Sequence, residues 1–437
     1  GKNVGAGIMK RIDTDILIVG TGAAGLFAAL HADPDKKVLM ITKVAKDKSD
    51  SYLAQGGICV LKDESDYDSF FEDTMKAGHY ENRRESVDIM IRSSKETINE
   101  LIGYGVEFTK KGDHFDYTRE GCHSKPRILY HEDITGKEIT SKLLAEVLTR
   151  KNITILENMP MVDILERENV CYGVLAKKDG EYYTIRANYT IWATGGIGGL
   201  FCNSTNYPHL RADAVAIAIR HGVQLEHPEY IQFHPTTLYS KKHGRSFLIS
   251  ESIRGEGAKL YGADGKRFAN EILPRDLLTK EILKQMKKDH KPFVWLDMTV
   301  LGKETIVTHF PHIYQHCLNE GYDCTKEWIP VVPGQHYYMG GVYVDKNSKT
   351  SMERLYAAGE TSCNGVHGKN RLASNSLLES LVFAKRAMQD IKTQKAVQSS
   401  CDLDDLAKET IEKLPKDYVE TYKNIVLNEI KKRKENQ

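Results

Sequence analysis

Residues 15–26 read Asp15-Ile16-Leu17-Ile18-Val19-Gly20-Thr21-Gly22-Ala23-Ala24-Gly25-Leu26, an apolar run followed by three glycines. The apolar residues that follow, 26–30, are typical of a helix. In a strand, turn and helix of this kind, Gly20 permits the tight turn, Gly22 lets the backbone approach a pyrophosphate, and Gly25 lets the helix pack close to the strand. The amino end of the helix then faces the anion. The stretch therefore predicts a dinucleotide site, the alternative being an ordinary turn between a strand and a helix.

The second apolar run argues against a nicotinamide dinucleotide. Residues 38–42 form this run, and it ends at Lys43. A nicotinamide-binding fold carries an acidic residue there, which holds the ribose. The identity of the ligand must therefore come from the rest of the chain.

Composition excludes several classes of function. The chain has 437 residues, of which 41% are hydrophobic and 28% charged, as in an ordinary soluble protein of two or three domains. Its 61 Lys and Arg against 60 Asp and Glu give a formal charge of +1, so no global field favours nucleic acid or an anionic membrane. No apolar run is long enough to span a bilayer.

The cysteine and histidine patterns argue against a metal centre. The eight cysteines are scattered, with no Cys-x-x-Cys pair, so we expect reduced thiols in the cytoplasm and no zinc or iron–sulfur site. His309, His312 and His316 lie at helical spacing. No carboxylate or thiolate completes a convincing ligand set with them, so the sequence predicts no metal site.

The order of the elements predicts an α/β fold. From residue 12 to about residue 148, strands and helices alternate, and the helices are expected over 69–77 and 85–104. A strand meander is expected over 153–156, 161–165 and 171–176, and a buried strand over 189–196. Charged helices follow near the end, over 405–414 and 418–434.

The expected domain division follows from a change in the sequence pattern near Glu226. Loops, histidines and short helices replace the strand-and-glycine pattern there, and that pattern returns only at about residue 355. We therefore expect a Rossmann-like nucleotide-binding domain in two parts, 11–226 and 339–398, with an inserted α+β capping domain at 227–338. Residues 399–437 are expected to form a short C-terminal helical segment.

Several further motifs occur in an order that resembles the succinate dehydrogenase/fumarate reductase flavoproteins. The resemblance covers nearly all of residues 12–392, and it implies FAD as the cofactor. The motifs besides the glycine turn are Ser51-Tyr52-Leu53-Ala54-Gln55-Gly56-Gly57-Ile58, Ala193-Thr194-Gly195-Gly196, Gln232-Phe233-His234-Pro235-Thr236, Arg254-Gly255-Glu256-Gly257, Pro274-Arg275-Asp276 and Ala358-Gly359-Glu360.

Two segments are similar to the branch of that family that oxidises L-aspartate. They are Thr118-Arg119-Glu120-Gly121-Cys122-His123-Ser124 and Gly368-Lys369-Asn370-Arg371-Leu372-Ala373-Ser374-Asn375-Ser376-Leu377-Leu378-Glu379. The resemblance places the Glu120 carboxylate against the substrate α-ammonium, a group that succinate and fumarate lack. Membrane-bound relatives carry a histidine bonded to the flavin where this chain has Asp50, so we expect non-covalent FAD.

The resemblance also implies the residues of the site. A dicarboxylate needs cationic clamps, and Arg275 is the expected proton donor, served by a relay of Glu251 and Arg254. The expected catalytic residues are Arg275, Glu251, Arg254, His234 and His336. The expected substrate contacts are Glu120, Gln232, His234, Ser250, Arg275, His336 and Arg371. The expected FAD contacts are Gly20, Gly22, Ala23, Ala24, Gly25, Lys43, Ser49, Ser51, Ala54, Gln55, Gly56, Gly57, Ala193, Gly195, Asp213, Glu360, Asn375, Ser376 and Leu377.

The activity implied is oxidation of L-aspartate to iminoaspartate, with oxygen or fumarate as electron acceptor, as the first step towards quinolinate and NAD. Quinolinate synthase is a candidate partner; nucleic acid is not expected. Two alternatives stay open: a fumarate reductase or succinate dehydrogenase flavoprotein, and a non-catalytic FAD-binding scaffold. Glu120 argues against the first, and the convergent dicarboxylate clamps argue against the second.

Overall fold

The computed structural model describes residues 9–242, 244–395 and 401–436. Within these ranges the chain is a mixed α/β protein, as the sequence predicts. The helices are α1 Ala23–Leu30, α2 Tyr67–Ala77, α3 Arg84–Arg92, α4 Ser94–Gly103, α5 Thr135–Leu148, α6 Asp213–His221, α7 Glu251–Gly255, α8 Arg275–Asp289, α9 Lys303–His309, α10 Pro311–Asn319, α11 Ser376–Thr393, α12 Leu403–Lys413 and α13 Tyr418–Glu435.

The strands form several sheets. They are β1 Lys10–Val19, β2 Val38–Ile41, β3 Ile58–Cys59, β4 Lys110–Lys111, β5 His114–Phe115, β6 Ile128–Leu129, β7 Ile153–Leu156, β8 Met161–Arg167, β9 Val170–Lys178, β10 Glu181–Trp192, β11 Leu225–Glu226, β12 Ile231–Leu238, β13 Phe247–Leu248, β14 Lys259–Tyr261, β15 Val294–Asp297, β16 Ile329–Tyr338, β17 Gly341–Tyr343, β18 Leu355–Ala357 and β19 Ser362–Cys363.

The main sheet has the strand order β7-β2-β1-β10-β9-β8. Its long strand β10 pairs in parallel with β1 along most of its length, while its first half pairs with antiparallel β9 and its end with parallel β18. The Rossmann-like part of the sheet consists of the parallel strands β7, β2, β1, β10 and β18. Their carboxyl ends meet at one edge, and sheets of this kind bind ligands there.

One strand of the expected meander was placed wrongly. β7 pairs in parallel with β2, whereas β8, β9 and β10 form the antiparallel meander. The partner of β7 is β2, which is distant in sequence, whereas β8 follows β7 after a short connection. The sequence pattern therefore suggested the wrong neighbour.

The helix expected over 85–104 is two helices, α3 and α4, separated at Ser93. The buried Ser94 hydroxyl donates to the Ile91 carbonyl oxygen at 2.6 Å and accepts the Leu61 N–H at 2.9 Å. A serine side chain that binds the backbone in this way competes with helix hydrogen bonds. The apolar spacing continues across the break, which is why the sequence pattern did not show it.

Helices cover both faces of the main sheet. On one face α1, α5 and α11 pack around Phe27, Leu143 and Phe383, which are fully buried. On the other face α6 and α13 pack against the sheet through Ala216 and Tyr422. The C-terminal helices α12 and α13 therefore belong to the packing of the main sheet, and α12 packs against β8 in a core cluster that includes Leu406 and Val162.

A second sheet, of order β13-β12-β16-β15-β14, has its own core with α8, α9 and α10. All of these elements fall within the expected capping segment 227–338, and the small sheet β11-β17-β19 lies where the chain enters and leaves it. The exact domain boundaries stay a prediction. In the described part of the chain, no helix is both long and apolar enough to cross a membrane.

Candidate active site

A deep cavity of about 1730 Å³, its open mouth included, extends between the main sheet and the five-stranded sheet. One end is lined by residues that follow β1 and β2, and the other by residues of β12, α7 and α8. We call these the nucleotide end and the acidic-substrate end.

The nucleotide end begins at the turn after β1. Gly20 has φ +118°, and a Cβ there would lie 1.9 Å from the carbonyl oxygen of Ala193, so only glycine fits. A Cβ at Gly25 would lie 2.3 Å from the Gly20 oxygen, which shows how closely α1 packs on the turn. Gly22 and Ala24, at the start of α1, line the cavity, so the positive end of the helix dipole faces it, as a pyrophosphate requires.

Lys43 and Asp213 line the same end and bind each other. The Lys43 ammonium donates to the Asp213 carboxylate and to the His209 carbonyl oxygen, the latter at 2.9 Å. Burial lowers the pKa of Lys43, and the Asp213 charge partly offsets this effect. The pair brings together the end of β2 and the start of α6, two places that are 170 residues apart.

The segment 49–57 offers polar atoms that lack partners. Ser49 Oγ, Asp50 Oδ2 and Gln55 Oε1 are buried, and none has a hydrogen-bond partner among the residues described. Each such atom costs about 1–3 kcal/mol when it stays unpaired. These residues line the cavity, so the segment is suited to a polar, planar ligand such as a flavin ring.

Two buried carboxyl groups lie near this segment. Asp50 accepts the Tyr207 N–H at 3.0 Å, and burial raises its pKa to about 7. Glu360 accepts the Tyr338 N–H at 3.0 Å, and its pKa is raised first by burial and then by the charge of Asp50. Both groups are acceptors suited to ribityl hydroxyls. The residues present therefore fit FAD.

At the acidic-substrate end, two buried arginines share one acceptor. Arg275 Nη1 and Arg371 Nε donate to Gln232 Oε1 at 2.9 and 3.2 Å. The Gln232 amide is fixed in turn, since its Nε2 donates to Asn370 Oδ1 and to the Arg371 carbonyl oxygen. Burial, followed by the charge of Arg275, lowers the pKa of Arg371 to about 10. Two adjacent buried cations favour a ligand with more than one negative charge.

Glu120 brings a carboxylate to the same end. Its side chain is buried, and Ser374 Oγ donates to Oε1 at 3.1 Å. A Cβ at Gly56 would lie 2.8 Å from that Oε1, so glycine leaves room for Glu120 beside segment 49–57. Burial, with the Glu251 charge second, raises the pKa of Glu120 to about 7. A cationic group of a ligand would stabilise its charged form.

His234 and His336 come from the adjacent strands β12 and β16, with ring centroids 5.3 Å apart. The Thr236 N–H donates to His234 Nδ1 at 3.1 Å, so Nε2 carries the proton of the neutral ring. Burial lowers the pKa of both histidines well below the ordinary value, with Arg275 next for His234 and Arg371 next for His336. Neutral rings can each donate one N–H to a substrate carboxylate.

Glu251 joins the two arginines of the expected relay. Its Oε1 lies 3.2 Å from Arg275 Nε and 3.8 Å from Arg254 Nη2, in agreement with the expected placement of Glu251 and Arg254 on one helix face. Burial raises the pKa of Glu251, but Arg275 and Arg254 outweigh that effect and leave it lowered. Ser250, the N-cap of α7, lines the cavity next to them.

Five of the expected site residues do not line the cavity: Ala23, Gly25, Gln232, Arg254 and Asn375. All of them except Asn375 contact a residue that does. The Ala23 N–H donates to Ser51 Oγ at 2.9 Å, and Asn375 Nδ2 donates to Thr74 Oγ1 at 3.1 Å. The other expected residues all line it. Their roles stay predictions.

Some lining residues were missed by the sequence reasoning. The Thr205 hydroxyl lies 2.6 Å from His336 Nδ1, and the Arg245 guanidinium donates to the Thr205 carbonyl oxygen at 3.4 Å. The Arg371 guanidinium lies 4.5 Å from the ring centroid of Tyr337. Tyr337 follows His336 directly and could have been found there, whereas no local pattern marks Thr205 or Arg245.

Comparison with known proteins agrees with this geometry. A family model described as "FAD binding domain" matches residues 15–377. The FrdA chain of an E. coli quinol fumarate reductase superposes with a TM-score of 0.82 at 29% identity, covering 97% of this chain and 75% of that one. The fold and the cavity define an FAD-dependent oxidoreductase.

Two curated relatives show which FAD-dependent oxidoreductases this chain is similar to in sequence. An L-aspartate oxidase of Clostridium perfringens is 50% identical over 88% of this chain and 88% of its own length. Another, of Pseudomonas aeruginosa, is 39% identical over 86% of this chain and 74% of its own. The chain belongs to the L-aspartate oxidase family, within the succinate dehydrogenase/fumarate reductase flavoproteins.

Proposed function

We propose that this protein oxidises L-aspartate to iminoaspartate and passes the electrons to oxygen or fumarate. The observation that carries the proposal is the acidic-substrate end itself, where Arg275 and Arg371 share Gln232 while the Glu120 carboxylate lines the same cavity. Two carboxylates and one ammonium are the charged groups of aspartate. The cavity thus offers a partner of opposite charge for each.

The arrangement explains selection between related acids. Arg275, Arg371 and the two neutral histidines bind the carboxylates that aspartate shares with succinate and fumarate. Glu120 contacts the α-ammonium, which only aspartate carries. Its contribution therefore favours aspartate and leaves fumarate binding nearly unchanged.

The protein's part in the chemistry is placement and proton handling. Bound FAD supplies a hydride acceptor, and the substrate is oxidised by loss of a hydride from Cα and a proton from nitrogen. The clamps hold Cα towards segment 49–57. When fumarate is the acceptor, it becomes succinate by gaining a hydride, which reduced FAD would supply, and a proton. Arg275 gives that proton to carbon, and Glu251 with Arg254 restores it, since arginine alone is a poor acid.

Four finer points accompany the proposal. FAD is held without a covalent bond, because Asp50 stands where a bonded histidine would be. The chain divides into an FAD-binding domain at 11–226 and 339–398, a cap at 227–338 and a helical segment at 399–437.

The protein works in the cytoplasm, in keeping with its eight free cysteines. Iminoaspartate is handed to quinolinate synthase on the route to NAD.

The first experiment follows flavin absorbance after anaerobic mixing with L-aspartate and, in parallel, with succinate. Bleaching by aspartate and not by succinate supports the proposal. Bleaching by succinate alone would favour a fumarate reductase, the function suggested by the E. coli neighbour. No bleaching with either acid would favour a non-catalytic FAD-binding scaffold.

A further inference from the structure

A second group of polar side chains lies outside the cavity, where the loop before α5 meets α10. His312 Nε2 lies 3.1 Å from Glu132 Oε2 and 4.0 Å from Asp133 Oδ1. One ligand atom from each of the three residues lies within 4.8 Å of the other two. An imidazole nitrogen and two carboxylate oxygens thus converge from parts of the chain about 180 residues apart.

Asp133 shows that this group is more than an exposed acidic cluster. Its side chain is 1% exposed, and its Oδ2 accepts the Ile313 N–H at 2.7 Å, in the first turn of α10. Its other oxygen, Oδ1, has no hydrogen-bond partner among the described residues and faces His312. A buried carboxylate oxygen without a partner needs a positively charged or donating group to offset its desolvation.

We propose that Glu132, Asp133 and His312 bind a first-row divalent transition-metal ion, with Zn²⁺ as the representative. Ligands of Zn²⁺ lie about 2.0–2.2 Å from the metal, so neighbouring ligand atoms are roughly 3–4 Å apart. The distances from His312 Nε2 to Glu132 Oε2 and to Asp133 Oδ1, 3.1 and 4.0 Å, already fall in that range. One imidazole and two carboxylates leave a fourth position open to water, and the mixed set suits Zn²⁺ or Mn²⁺.

The neighbouring histidines lack such a set. His309 Nδ1 lies 2.9 Å from Glu256 Oε1, and His316 Nε2 lies 4.0 Å from Glu320 Oε1. Each therefore has a single carboxylate, and α9 ends at His309, so the three histidines are not on one continuous helix. The expectation of no metal site failed to consider Glu132 and Asp133, because these residues are distant in sequence.

The position of the site indicates its effect. Glu132 and Asp133 lie in the segment expected to bind the nucleotide, while His312 lies in the segment expected to cap it. A bound ion would add bonds across the contact in which Asp133 already caps α10. The ion would therefore strengthen the attachment of the cap, at a place separate from the lining of the FAD cavity.

The test measures Zn²⁺ binding to the FAD-loaded protein after chelator treatment, by equilibrium dialysis and by the shift of the thermal midpoint. We compare the unchanged protein with Glu132→Gln and His312→Asn, whose side chains are about half exposed and should not disturb folding. His316→Asn, on the same helix, is the matched control. FAD content verifies that every variant is folded.

We expect one Zn²⁺ per chain, bound at least tenfold more weakly by Glu132→Gln and by His312→Asn, and unchanged by His316→Asn. Zn²⁺ should raise the midpoint of the unchanged protein and of the control more than that of the two ligand variants. Equal binding by all four proteins, or no saturable site, would overturn the proposal. Neither result bears on aspartate oxidation, so the two proposals are tested independently.

Discussion

The nucleotide end and the acidic-substrate end of the cavity are built from different parts of the polypeptide. The nucleotide end depends on backbone: Gly20 and Gly25 bring strand and helix together, and the first turn of α1 faces the ligand. The acidic-substrate end depends on buried charged side chains, with Arg275 and Arg371 meeting on Gln232. A contiguous backbone motif can recognise a constant cofactor, whereas selection among small acids needs individually placed charges.

The largest expected effect is at Arg275. Arg275→Lys keeps the positive charge but removes the planar guanidinium group, whose nitrogens donate to both Gln232 and Glu251. We expect the rate at which fumarate reoxidises the reduced flavin to fall roughly 10²–10⁴-fold, the range typical of a lost proton-transfer group. FAD content should stay normal. Arg267→Lys, a half-exposed partner of Glu271, is the control and should retain the rate. A loss of FAD with Arg275→Lys would contradict the separation of the two ends.

Gln232→Met tests the acidic-substrate end without changing a residue that lines the cavity. The change removes the acceptor shared by Arg275 and Arg371, and hydrogen bonds to charged groups contribute about 1.5–3 kcal/mol each. We expect kcat/KM to fall roughly 100-fold for both aspartate and fumarate. Steady-state kinetics with each substrate checks this. A loss confined to aspartate would show that Gln232 contacts the ammonium and does not position the arginines.

Glu120→Gln should separate the two substrates. We expect KM for aspartate to rise roughly tenfold, the loss of one charge-assisted bond, while fumarate reduction changes little. In the unchanged protein the pKa near 7 means that Glu120 gains charge as pH rises from 6 to 8, so KM for aspartate should fall over that interval. The variant should lack this pH dependence. Equal effects on fumarate would argue against an ammonium contact.

An effect of similar size is expected at the nucleotide end. A Cβ at Gly22 would lie 3.0 Å from Ser51 Oγ and 3.4 Å from Ser49 Oγ, so Gly22→Val crowds the turn. We expect FAD affinity to fall roughly tenfold, while protein saturated with FAD keeps its KM for aspartate. Titration of the FAD-free protein measures this. Gly103→Val, where a Cβ meets nothing within 4 Å, is the matched control.

Sequence reasoning succeeded where neighbouring residues carry the information. The turn at Gly20, the placement of Glu251 and Arg254 on one helix face and about half of the cavity lining follow from short motifs or from family resemblance. It failed where partners are distant, as with β7, which pairs with β2 instead of β8. The break at Ser93 was also hidden, since it depends on a hydrogen bond from Leu61 to Ser94.

By itself, the sequence determined the FAD-binding fold and the residue types of the site, because glycine turns and strand periodicity act over a few residues. Only the tertiary structure decided how charges are shared: that Gln232 joins two arginines, that burial raises the pKa of Glu120 to about 7, and that His312 meets Glu132 and Asp133. Electrostatic interactions depend on distance in space and on exclusion of water. Neither quantity exists until the chain has folded.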